Sequence, residues 1–101
     1  MRVDQGITNV PSAGTAVQLL NATNRVKWIR LKALPGNSEV IYVGVNTTAR
    51  PLSASLGYEL SGTNTVELNF GEFGGSVPAN VFYVDAASNN DKVAWLMILE
   101  G

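Results

Sequence analysis

Between residues 25 and 45 the chain reads RVKWIRLKALPGNSEVIYVGV, two apolar-rich runs either side of a cluster of turn residues. In the first run Ile29, Leu31 and Ala33 recur with period two, which places them on one face of a β-strand. Val26 and Trp28 fall on the opposite face, beside Arg30 and Lys32. A sheet with one face in a core and one in water carries a single apolar set. The second set therefore needs either a covering neighbour or a bulge between Trp28 and Ile29 that turns Val26 and Trp28 back to the core.

The same alternation recurs along the chain in short runs rich in β-branched and aromatic residues, separated by Gly, Pro, Asn, Ser and Asp. It predicts strands over residues 16–20, 26–34, 40–45, 58–60, 65–70, 81–86 and 93–99. No stretch holds a helical period beyond two turns. In LPGNSE, Pro35 presets φ while Gly36 and Asn37 tolerate positive φ, so the flanking strands are expected to form a hairpin. SNND, residues 88–91, predicts the same between the last two strands, and both turns are expected to lie on exposed ends and to tolerate substitution. Seven to eight short strands in about 100 residues predict one all-β domain, an antiparallel β-sandwich with a jelly roll among its arrangements. Residues 1–14 are expected to form an extended N-terminal arm. The last strand is apolar on both parities, with Val93, Trp95, Met97 and Leu99 on one side and Ala94, Leu96 and Ile98 on the other. Only one set can enter a two-layer core. VIYVGVNT and VFYVDAAS, starting at Val40 and Val81, echo each other; they are either two half-buried strands of similar environment or a true repeat.

Composition narrows the chemistry. The 101 residues include no cysteine and no histidine, so disulfides, thiolate metal sites and the commonest general base are absent. The eight acids are scattered without a dyad spacing, and Lys27, Lys32 and Lys92 alternate with apolar residues as solvent-facing positions do. No triad, metal motif or phosphate loop is legible, and the expectation is a protein that is not an enzyme and carries no cofactor or metal. DAASNND, residues 85–91, is read as a self-bonded turn, with a hard cation as the alternative. GEFGGS, residues 71–76, is read as a connection that exposes Phe73. Charged residues make up 15% and the formal net charge is −1, which leaves no basic stripe for nucleic acid. The N-terminal residues lack the apolar stretch of a secretory signal, and the longest apolar run is seven residues, VAWLMIL, so no membrane partner is expected. Trp28 and Trp95 are read as core or subunit-contact residues, with stacking on a sugar ring as the alternative.

The succession VKWIRLKALPGNSEVIYVG, GYELSGTNTVELNF and NVFYVDAASNNDKVAWLMI resembles small all-β virion proteins of tailed bacteriophages, over residues 15–99. The resemblance implies a structural protein made in the bacterial cytoplasm and carried on the capsid surface, most often as a capsid decoration or stabilising protein. It further implies contacts with the major capsid protein or another virion protein, and a homo-oligomer, with a trimer favoured. A tail, baseplate or fibre component binding a host glycan is the alternative. The expected contact residues are Val26, Trp28 and Arg30 on one strand, Trp95 and Met97 on the last strand, and Phe73.

Overall fold

The structure is a computed structural model that describes residues 2–46, 52 and 57–100, apart from the side chain of Phe73. Among these residues nine strands follow in order: β1 (Arg2–Val10), β2 (Val17–Gln18), β3 (Arg25–Ala33), β4 (Ile41–Val45), β5 (Tyr58–Leu60), β6 (Thr65–Asn69), β7 (Val77–Pro78), β8 (Phe82–Ala86) and β9 (Asp91–Leu99). They form two antiparallel sheets packed face to face. The first has the order β1-β9-β3-β6, with β7 pairing the start of β3; the second has the order β2-β8-β4-β5. Leaving β7 aside, the first strand pairs the last, β2 pairs β8, β3 pairs β6 and β4 pairs β5. That nesting is a long antiparallel ribbon rolled into two sheets, the arrangement of a jelly roll.

The core lies between the sheets and is built from period-two positions: Ile29, Leu31 and Ala33 of β3, Ile41 and Val43 of β4, Phe82, Val84 and Ala86 of β8, and the odd-numbered residues Val93–Leu99 of β9. The two echoing segments are β4 and β8, neighbours in the second sheet with Val43 opposite Val84. Residues 2–10, read from sequence as part of an arm, are a nine-residue strand at the edge of the first sheet.

Both expected hairpins are absent. β3 and β9 belong to the first sheet and β4 and β8 to the second, so LPGNSE and SNND carry the chain across the sandwich. Turn chemistry sets a reversal of direction and says nothing of pairing partners. Polar groups in the loops fix the crossings instead, and two of them, Asp85 and Asp91, are buried. The Asp91 carboxylate accepts the N–H groups of Ser38 through Oδ1 and Glu39 through Oδ2, each at 2.9 Å. The Asn37 side chain bonds both backbone groups of Lys92. Asn90 turns at φ 67° and its N–H donates to the Val10 carbonyl at 2.7 Å. The Asp85 carboxylate accepts the N–H groups of Gly14 and Ala86, at 3.0 and 2.7 Å.

Candidate protein-docking face

β3 and β9 lie side by side at the centre of the first sheet, and the apolar residues on both parities of each are resolved by their register. The pairing Val26↔Leu99 is followed by Trp28↔Ile98, so Lys27 is an extra residue on β3, a β-bulge. The bulge lies one residue earlier than the sequence suggests. It turns Val26 into the core and leaves Trp28 outside with Arg30 and Lys32. The expectation that Val26 meets a partner is therefore corrected: Val26 is fully buried.

Trp95 and Met97 are corrected in the same way, since both point between the sheets. Room for the indole comes from Gly6, its cross-strand partner on β1. A Cβ at Gly6 would lie 2.7 Å from the indole carbon Cζ2. The ring N–H of Trp95 donates to Thr8 Oγ1 at 3.0 Å, and that hydroxyl donates to the Leu19 carbonyl at 3.2 Å. A buried tryptophan needs such a partner, and β1 supplies it. The complementary set, Ala94, Leu96 and Ile98, points outward.

The outer face of the first sheet follows from these registers. Val3, Gln5 and Ile7 of β1 stand opposite Ile98, Leu96 and Ala94 of β9. Those stand in turn opposite Trp28, Arg30 and Lys32 of β3, and beyond them Asn69, Glu67 and Thr65 of β6. Val3, Ile7 and Leu96 are 66, 63 and 36% exposed. Trp28 is half-buried and borders a shallow depression of about 530 Å³ lined by Val3, Lys27, Trp28, Asn69, Gly71, Leu96 and Ile98. Two charges flank this surface where Lys27 Nζ approaches Glu100 Oε1 at 4.0 Å.

Of the residues expected at a contact, Trp28 and Arg30 share this face, Val26, Trp95 and Met97 lie in the core, and the side chain of Phe73 lies outside the described residues. Reading the sequence by itself misses Val3, Ile7, Leu96 and Ile98. Leu96 and Ile98 were visible as the alternative parity of the last strand. Val3 and Ile7 stand four apart around a glycine in a segment of mixed polarity, a weak strand signal.

A second, wholly apolar cleft of about 410 Å³ opens between the sheets, with Val45, Tyr58 and Leu68 exposed at its rim and Leu31, Phe70 and Phe82 deeper. Among the described residues, no group of three or more acids could hold a metal ion. The two buried acids, Asp85 and Asp91, are each engaged by two backbone N–H groups and act as loop ties. No family model, curated protein or solved structure matches the chain.

Proposed function

We propose that the chain is a structural subunit of a tailed-bacteriophage virion, a capsid decoration or stabilising protein that works through contacts of the outer face of its first sheet. The supporting observation is the apolar surface that exposed Val3 and Leu96 and part-buried Ile98 form around a half-buried Trp28. Monomeric proteins leave scattered apolar residues in water, whereas a contiguous set around a half-sunk aromatic fits a contact site. The charges beside it, Arg30, Lys32 and Glu67, form a polar rim of the kind that sets orientation. The partner is the major capsid protein or another virion protein. Jelly rolls serve viral shells and lectins alike, so the fold supports the reading only as analogy.

The test is particle composition and rebinding. Mass spectrometry of purified particles is expected to find the protein, and particles made without its gene are expected to bind it when it is added back. Trp28→Ala is expected to lose about 2 kcal/mol or more of that binding. Particles that lack the protein, or that rebind the variant unchanged, would refute the reading.

One observation favours a second reading, a tail or fibre component that binds a glycan. The Asn69 amide and the Lys27 ammonium stand beside the same indole and can bond hydroxyl groups over a stacked sugar ring. A glycan array with a reproducible hit that disappears in Trp28→Ala would decide for it.

A further inference from the structure

Among the described residues five strands lie at sheet edges, and four of them are short: β2 and β7 have two residues each, β5 three and β6 five. β1 has nine. Short edge strands are how folds keep unpaired backbone groups from recruiting another chain, and β1 lacks that protection. Its two outward apolar side chains, Val3 and Ile7, are 66 and 63% exposed, the largest exposures among the described large apolar residues.

The direction of its backbone groups can be assigned. In an antiparallel ladder successive residues point their N–H and C=O alternately to one neighbour and the other. The N–H of Gln5 donates to Asp4 Oδ1 at 2.9 Å, so it is turned away from β9. By alternation Val3, Gln5 and Ile7 all direct N–H and C=O to the open edge. Asp4 covers one of these donors with its own side chain.

We propose that a second copy of this chain pairs with that edge, β1 against β1, antiparallel about a two-fold axis at Gln5. The sequence of the strand is self-complementary in this register and poorly so in its neighbours. Val3 stands opposite Ile7 of the partner subunit, twice by symmetry, so both exposed apolar residues are covered by each other. Gln5 stands opposite its own copy and Asp4 opposite Gly6 of the partner subunit. Moving the axis to Asp4 would set two carboxylates face to face, and moving it to Gly6 would set Ile7 against Gln5 and Val3 against Asn9. To pair, the Asp4 carboxylate releases the Gln5 N–H, which donates to the Gln5 carbonyl of the partner subunit. An isologous contact of this type closes on itself, so the product is a dimer with one continuous sheet through both subunits. The exposed apolar surface beside Val3 then runs across the axis.

Sedimentation over a concentration series tests this. The unaltered chain is expected to reach a dimer, and Gln5→Pro is expected to associate roughly thirtyfold more weakly, because it deletes one edge donor from each copy. The β1–β9 ladder does not use that N–H, and proline is tolerated at an open edge, so the melting temperature is expected to hold. If Gln5→Pro does not fold, Val3→Lys and Ile7→Lys alter only exposed side chains and are expected to give the monomer. The chain has no cysteine, so Gln5→Cys is expected to give a single disulfide-linked species under mild oxidation, the two-fold register placing its copies within bonding range. A chain that stays monomeric to its solubility limit, a trimer, a dimer unaffected by these variants, or a dimer that Gln5→Cys does not cross-link would overturn the proposal.

Discussion

The side chain of Asn37 serves as the strand partner of Lys92: its Oδ1 accepts the Lys92 N–H at 2.8 Å and its Nδ2 donates to the Lys92 carbonyl at 2.8 Å. This pair prolongs the ladder of β9 past the point where β3 has turned away. A turn satisfied by its own backbone would tolerate Asn37→Ala. Here the substitution strips two hydrogen bonds and is expected to cost about 2 kcal/mol, lowering the melting temperature by roughly 10 °C in calorimetry.

Gly6→Ala is expected to destabilise the fold by about 1–3 kcal/mol, because its methyl group would enter the space of an indole that Thr8 holds in place. Trp95→Phe is smaller and is expected to recover part of that loss. A double-mutant cycle by chemical denaturation measures the coupling, and additive costs would show that the two residues do not compete for space.

Thr8→Val conserves shape while removing the acceptor for the Trp95 N–H and the donor to the Leu19 carbonyl. Stranding a buried ring N–H is expected to cost about 1–3 kcal/mol, and near-ultraviolet circular dichroism should report the altered indole environment.

Asp91→Asn replaces one carboxylate oxygen by a donor, which faces one of the two N–H groups of Ser38 and Glu39. The expected loss is about 2 kcal/mol, read by denaturant titration. Amide exchange at Ser38 and Glu39 should rise with it, since the tie between the LPGNSE crossing and β9 is broken.

Neighbours on β9 are expected to separate folding from contact. Met97→Ala opens a cavity in the core and should cost about 2–5 kcal/mol. Leu96→Ala on the outer face should leave the melting temperature nearly unchanged and weaken rebinding to particles. The reverse pattern would place the docking surface elsewhere.

The sequence discloses the strands of this fold better than their partners. Periods of two and the turn residues located β3 to β6, β8 and β9 within about two residues, because those signals are local. Pairing is a long-range property. Pro35, Gly36 and Asn37 encode a reversal that serves a hairpin and a crossing equally, and the choice is made by Asn37 reaching Lys92 of β9 and by Asp91, at the start of β9, holding Ser38 and Glu39. The conflict of parity in β3 was legible as a bulge or a contact; the bulge is there, at Lys27, and it leaves Trp28 on the outer face. Trp95 and Leu96 could not be assigned to faces from β9 alone, since the decision rests on Gly6 and Thr8 in a strand whose mixed polarity hides it.

The nesting of strands has a consequence for how the molecule is made. β9 lies between β1 and β3, so the first sheet has a gap at its centre until residues 91–99 are available. During synthesis β1 and β3 emerge early and have no shared partner, while the loop that must close to join β1 to β9 spans almost the whole described chain. Closure on that scale comes late and slows the search for the native state, as expected of high contact order. Until then the edge of β1 that β9 will pair, with the backbone groups of Asp4, Gly6 and Thr8, and the core faces of β3 and β4 are open to water and to other chains. Refolding of the finished protein should therefore be slow, and a nascent chain halted before Asp91 should depend on chaperones to stay soluble.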